Sequence, residues 1–215
     1  MTDATGDIRP DTEHFGRKHM QVTEAARRLF MQHGFSGTST DSIAREAGVS
    51  KATLYSYYAS KEILFGQLVS EECAAIQADL LLPTLSDGFV AGLRRFAHVY
   101  VGLFSRKREK SMCRIMASES TRFPDLCLQF YEMGPLATTR RLAQFLLDAR
   151  KAGFIEMEDA MIAASQFLSL IRGDLPLLAM LSLETAATDT LKADIEAGLR
   201  TFMRAYGVKD DGAGL

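Results

Sequence analysis

Apolar residues recur every three or four positions along nearly the whole chain, with no sustained alternation of the kind a half-buried strand requires. Val22, Ala25, Ala26, Leu29 and Phe30 form one stripe of a helix from about Arg17 to His33, which Gly34 stops. "FSGTST" follows as a turn, with Thr40 suited to cap a short helix, "DSIAREAG", that ends at Gly48. Val49 leads to Ser50, a second N-cap, and "KATLYSYY" makes another helix of about two turns. Ser60 caps a third start, with Glu62 in the first turn where the helix dipole favours an acid. From there "KEILFGQLVSEECAAIQADLLL" reads as a longer helix running to Pro83. Beyond it the pattern predicts helices at roughly 86–105, 109–122, 124–152 (with a break at Gly134-Pro135), 158–181 and 185–206, joined by short linkers. The predicted fold class is all-α.

The two short helices around Gly48 are each too short to be stable alone, and a tight glycine turn between such a pair is the layout of a helix-turn-helix. Ile43, Ala44, Ala47, Val49, Leu54 and Tyr58, with Leu29 and Phe30, supply a miniature core. Burying them leaves Lys51, Ala52, Thr53, Tyr55, Ser56 and Tyr57 on the outer face of the second helix. Such a helix enters a major groove with its N-terminal residues against base edges. Lys51 and Thr53 then reach guanine acceptors or a thymine methyl, and small Ala52 admits close backbone approach. Tyrosine hydroxyls and Lys61 suit phosphates, as do the free amides at Thr40 and Ser50. The same spacing also fits an aromatic boundary between core and surface in an ordinary helical bundle.

Charge does not choose between these readings. The 215-residue chain has a net charge of −2, and the segment 1–66 holds as many acids as bases. The global basic footprint of many nucleic-acid binders is therefore missing, and geometry alone must carry the case. Cys73, Cys113 and Cys127 form no CxxC pair, and His14, His19, His33 and His98 show no ligand spacing, so no metal is expected. No phosphate loop, nucleophile elbow or HExxH pair is present, which predicts neither an enzyme nor a cofactor. The polar start "MTDATGDIRPDTEHFG" lacks an apolar targeting segment, and no stretch approaches a membrane span. The expectation is a soluble cytoplasmic protein.

The stretch "AARRLFMQHGFSGTSTDSIAREAGVSKATLYSYYASKEILF" resembles, nearly position for position, the N-terminal DNA-binding domain of TetR/AcrR-type transcriptional regulators. The likeness runs from about Arg17 to Leu68 and rests on several motifs: Ala-x-x-Leu-Phe in the first helix, Gly-Phe before the Thr/Ser turn, "IAREAGVS", "LYSYYASKE" and the leucine of "KEILF". Two positions depart from it. Tyr58 stands where phenylalanine is usual, and Ala52 where glycine is more common. The resemblance implies DNA contacts at Thr40, Ser50, Lys51, Thr53, Tyr55, Tyr57 and Lys61, with Arg45 and Ser39 beside them.

Farther on, "RIMASESTRFPDLCLQFYEMGP" and "ARKAGFIEMEDAMIAASQFLSLIRGD" look like the AefR-like subgroup of C-terminal domains. That implies a larger helical domain that binds a small apolar effector and forms a homodimer through roughly 158–181 and 185–206. It places the effector pocket in 86–133, a region rich in Met, Phe, Tyr and Cys that would serve equally as plain core. The candidate lining is His98, Phe104, Met112, Met116, Glu119, Phe123, Phe130 and Tyr131. Leu191, Ile195, Leu199 and Phe202 form a further stripe that suits either core or interface. The expected organisation is a flexible arm 1–16, a helix-turn-helix domain 17–66, an effector and dimerisation domain 67–207 and a flexible tail 208–215. The whole reads as a repressor that releases a palindromic operator when its effector binds. Two alternatives stay open: a helical adaptor that binds protein through its helix-turn-helix, and a redox-responsive regulator acting through Cys113 and Cys127, with Arg114 lowering a thiol pKa.

Overall fold

The computed structural model describes residues 11–80, 82–184 and 188–208, and among these every regular element is helical. The predicted arm up to residue 10 and the tail from 209 lie outside the described residues. The chain divides into two compact units, Met1–Val69 and Ser70–Leu215.

In the first unit, α1 spans Asp11–His33 and so begins ahead of the predicted Arg17. Gly34, in the left-handed region with φ of 72°, closes the helix. Helix α2 covers Thr40–Ala47, and its N-cap is Ser39, not Thr40. Ser39 Oγ accepts the Ser42 amide at 3.0 Å while Ser42 Oγ accepts the Ser39 amide at 3.1 Å, a reciprocal capping box that Thr40 has no partner to form. Gly48, with φ of 65°, turns the chain into α3, Lys51–Tyr57, which Ser50 caps by accepting the Thr53 amide at 3.0 Å. Helix α4 spans Lys61–Asp79.

The core of this unit is built from Val22, Ala25, Ala26 and Phe30 of α1, Ile43, Ala44 and Ala47 of α2, and Leu54 of α3. Phe30, Phe35 and Phe65 add a cluster of three rings with centroids 4.9–5.8 Å apart. Leu29 and Val49, expected here, are only half-buried. Tyr58, the departure from the usual phenylalanine, is buried with its hydroxyl 2.9 Å from His19 Nε2 and 3.0 Å from Thr23 Oγ1. A buried hydroxyl without partners would destabilise, so the tyrosine is accommodated because α1 supplies both. Tyr58→Phe is expected to cost about 1 kcal/mol in urea unfolding, the net worth of such hydrogen bonds.

In the second unit, α5 (Phe89–Leu103) follows a short 3₁₀ turn at Leu85–Asp87, and α6 covers Lys107–Glu119. Helices α7 (Pro124–Tyr131) and α8 (Ala137–Lys151) are joined without a break by a π-helical turn, Glu132–Leu136. The predicted interruption at Gly134-Pro135 is thus absorbed by the wider turn, which accommodates a proline that has no N–H to give. The predicted helix 158–181 is two helices, α9 (Ala160–Arg172) and α10 (Leu175–Met180), divided at Gly173. Gly173 has φ of 46° and ψ of −130°, a backbone state that side chains disfavour and glycine permits. Helix α11 covers Thr188–Ala205.

Helix α9 packs against both α8 and α11, and the core between them and α5 holds Phe89, Leu93, Phe96, Leu142, Leu146, Phe167, Leu199 and Phe202. The stripe of α11 is therefore intramolecular: Ile195, Leu199 and Phe202 are buried and Leu191 is half-buried against the same core. In contrast α9 buries Ala163, Ala164, Phe167, Leu168 and Ile171 but leaves Met161, Ile162 and Leu170 exposed.

Candidate functional site

The first unit holds Lys51, Ala52, Tyr55 and Ser56 exposed, with Thr53 and Tyr57 half-buried, on the face of α3 opposite the fully buried Leu54. Caps fix that face. Ser50 Oγ lies 2.8 Å from Thr53 Oγ1 as well as holding the Thr53 amide, and Ser56 donates to the Thr53 carbonyl at 2.7 Å. Tyr57 sets its ring edge-on to His19 at 5.4 Å, which leaves only part of it outward. Lys51 reaches Asp41 at 2.8 Å; the carboxylate raises its pKa, yet both side chains are solvated and such a pair is readily exchanged. Arg45 is exposed on α2, and Thr40 Oγ1 lies 3.4 Å from the Tyr55 hydroxyl.

Beside this face runs an open groove of about 520 Å³ lined by Ser39, Thr40, Tyr55, Ser60, Lys61 and neighbours. It brings the N-terminal ends of α2 and α4 to one place. Free amides at two helix starts, together with hydroxyls, suit an anion such as a phosphate. Lys61, on the wall of this groove, is also tied into the fold. Its ammonium donates to the carbonyls of Phe35 at 3.0 Å and Thr38 at 2.9 Å and lies 4.0 Å from the centre of the Phe35 ring. It is an internal cap on the 34–39 loop, joining the Thr38 amide on the Phe35 carbonyl and supplying a donor to the Thr38 carbonyl.

The second unit contains a cavity of about 100 Å³ bounded by α4, α5, α6, α7, the π turn and α8. Of the candidate lining, Phe104, Met112 and Phe130 reach it. Met116 and Glu119 are buried in α6 away from it, and Phe123 is half-buried at the start of α7 beneath the Arg122 guanidinium. His98 and Tyr131 are corrections: His98 turns outward within 4.0 Å of Glu196, and Tyr131 is 52% exposed. The inward stripe of α5 is Phe96, Ala97, Tyr100 and Val101, so position 98 falls off it.

Sequence reasoning missed Cys73, Ile76, Gln77 and Leu80 of α4, Tyr100 of α5, and Glu109 and Cys113 of α6, all on the cavity wall. Gln77 was the available signal, a polar residue on the inward side of an apolar helix. Its amide donates to the Gly134 carbonyl at 3.0 Å and Thr138 Oγ1 at 2.7 Å, and Arg141 donates to Gln77 Oε1 at 2.9 Å.

All three cysteines are free thiols, with Cys73 and Cys113 on the wall of the same cavity. Burial pushes Cys73 up to about 11, and burial raises Cys113 and Cys127 as well. Arg114, expected to lower a thiol, donates instead to Ser182 Oγ at 3.1 Å. Thiols held protonated are poor nucleophiles at neutral pH. The basic run 105–110 is tied to the fold through Arg106, which binds Asp79 at 2.7 Å.

A capped helix-turn-helix presenting a polar helix face, followed by a helical unit with an internal apolar cavity, defines a DNA-binding regulator with an effector domain. Residues 22–68 match the bacterial regulatory proteins of the TetR family, and residues 91–208 match the C-terminal domain of AefR-like transcriptional repressors. The chain belongs to the TetR family of bacterial regulators, whose members regulate transcription and are not enzymes. It is 51% identical to the solved flavonoid-responsive regulator FrrA, over 89% of this chain and 97% of that one, with a TM-score of 0.79. A TetR-family regulator from Mesorhizobium loti is 25% identical over 90% of this chain and 98% of that one, with a TM-score of 0.82. The biofilm-operon repressor IcaR of Staphylococcus epidermidis is 30% identical over 38% of this chain, and the repressor DhaR of Mycobacterium sp. is 29% identical over 40%. The chain spans 44% and 42% of the lengths of those two relatives. No helix among the described residues is long and apolar enough to cross a membrane.

Proposed function

We propose that this protein is a transcriptional repressor that binds a palindromic operator as a homodimer and releases it when a small, flat aromatic molecule fills the cavity of its second unit. The observation that carries the DNA reading is the α3 face, whose Lys51, Ala52, Thr53, Tyr55 and Tyr57 stand outward on a helix fixed by the Ser50 cap and the buried Leu54. Lys51, Ala52 and Thr53 meet base edges; Ser39, Thr40, Arg45, Ser50, Tyr55 and Tyr57 hold phosphates. Two such helices about one DNA turn apart in a symmetric dimer match the two halves of a palindrome.

Support for the dimer comes from the apolar residues that the second unit leaves uncovered. Met161, Ile162 and Leu170 of α9 are exposed together with Leu177, Met180, Leu181 and Leu183 in and after α10. Support for the effector class comes from the cavity, where Tyr100, Phe104 and Phe130 supply rings, and from the likeness to a flavonoid-responsive regulator along almost its whole length. Helix α4 belongs to both units, with Lys61 in one and the cavity residues Cys73, Ile76 and Gln77 in the other. An effector that binds better to one placement of α4 shifts the population toward it and changes the match of the two recognition helices to DNA. The protein acts in the bacterial cytoplasm.

Fluorescence anisotropy on DNA from upstream of the protein's own gene tests the DNA reading. Selective binding that strengthens as salt falls and drops at least tenfold in Tyr57→Ala is expected. Retained binding to a partner protein with no DNA selectivity in a random-sequence selection would replace it with the adaptor reading.

A further inference from the structure

We infer that Glu109 is the group that reads the effector's polar end, and that the effector presents to it a hydroxyl donor on an otherwise apolar frame. This rests on the effector-cavity reading above and gives it a specificity-determining residue.

The inference follows from the hydrogen bonds of the cavity wall. Gln77 is spent: its amide donates to Gly134 and Thr138, and its oxygen accepts from Arg141. Thr138 donates to the Gly134 carbonyl at 3.1 Å. The Tyr100 hydroxyl accepts from Arg172 at 3.5 Å. Cys73 is a buried thiol and Cys113 a half-buried one, and both are weak donors. Among the described residues of this wall, Glu109 carries the buried oxygen that has no hydrogen-bond partner at all. Its side chain is 12% exposed, Oε1 lies 3.6 Å from Arg106, and Oε2 is buried with no hydrogen-bond partner among the described residues.

A place in the first turn of α6 explains why an acid is tolerated there, since the helix dipole favours it. It does not provide Oε2 with a donor. A buried acceptor without one is costly, and a ligand that brings a donor recovers that cost on binding. Glu109 is among the residues that line the cavity, and Oε2 is its unpartnered oxygen, the atom the inference offers to a ligand. A hydroxyl suits this place better than an ammonium. The other polar groups of the wall, Gln77, Thr138 and Tyr100, are uncharged and engaged with neighbours, so a full charge stripped of water there would have a single carboxyl group, already shared with Arg106, to compensate it.

Isothermal titration of the full-length protein with flavone and with each monohydroxyflavone tests the inference. At least one hydroxylated isomer is expected to bind wild type about tenfold more tightly than flavone, the gain of a hydrogen bond to a carboxylate. Glu109→Leu is expected to bind flavone at least as well and to lose the preference. Thermal melting establishes that the variant is folded; if it is not, Glu109→Gln, which keeps the shape and a weaker acceptor, is expected to lose several-fold of the preference. A preference that survives unchanged in the folded variant, or no preference in wild type, overturns the inference and leaves the effector class standing. No binding of any of these compounds to wild type overturns the effector class and the inference with it.

Discussion

Gly198→Ala should lower the thermal midpoint of the second unit, although alanine is the better helix former. Gly198 lies inside α11, where glycine is worse than alanine by about 1 kcal/mol. A methyl group built there would stand 2.7 Å from the Leu170 carbonyl oxygen and 2.9 Å from its carbon. Both are backbone atoms of α9, so no side-chain rotation relieves the contact, and the helices must separate along a shared core. Overpacking of that kind costs typically 1–3 kcal/mol and more where backbone has to move, which outweighs the propensity gain. A net loss of about 2 kcal/mol corresponds to a fall of roughly 4–8 °C in a chain of this size. Gly102→Ala in α5 is the matched control, since its methyl would meet no atom within 4 Å. It should leave the midpoint unchanged or raise it. Circular dichroism melting of both variants checks the pair, and a Gly198→Ala midpoint at or above wild type would show that the α9–α11 approach is looser than described.

Lys61→Met should weaken operator binding strongly, but through the fold of the first unit. The ammonium makes two hydrogen bonds to loop carbonyls and one contact with an aromatic face. Hydrogen bonds to a charged group contribute about 1.5–3 kcal/mol each and the ring contact about 0.5–1 kcal/mol, with partial rehydration of the carbonyls reducing the total. A loss of roughly 3 kcal/mol in the stability of this unit is expected, measured by urea unfolding. The 34–39 loop carries Ser39, the cap of α2, so disorder there also misplaces the recognition face. Salt dependence separates this role from a phosphate contact. Removing a phosphate-binding lysine reduces the slope of log affinity against log salt by about 1. The slope for Lys61→Met should match wild type while the affinity falls. A slope reduced by about 1 with unchanged stability would return Lys61 to the phosphate-binding set.

The helix-turn-helix was legible because its signals are local. Gly34 and Gly48 stop helices through their own backbone freedom, and Ser50 caps α3 through a residue three positions away. The one misplaced cap shows where that legibility ends. Ser39 and Thr40 are adjacent hydroxyl residues, and the choice between them rests on Ser42, a weaker signal than the Glu or Gln of the usual capping box. The single predicted helix 158–181 failed for a related reason. Its apolar period continues across Gly173, and only the backbone there shows that the chain turns.

The cavity was legible only in part. Phe104, Met112 and Phe130 are large apolar residues on helices that must bury something, and any inward face would collect them. His98 was misread although the α5 stripe of Phe96, Ala97, Tyr100 and Val101 already excludes its position. The contribution of α4 was signalled only by the polar Gln77 in an apolar helix, and its partners were not readable, because Gln77 meets Gly134 and Thr138 across more than fifty positions of chain.

By itself, then, the sequence determined the helical period, most helix ends and the outward set on α3, because propensity, capping and burial of one stripe act within a few residues. Tertiary structure decided which stripes face one another, that Lys61 turns inward to cap a loop, that α11 buries its stripe within its own chain, and that Glu109 stands on a cavity wall with no donor for Oε2 among the described residues. Those outcomes depend on groups far apart in the chain meeting in one place, and no local rule specifies which of them will meet.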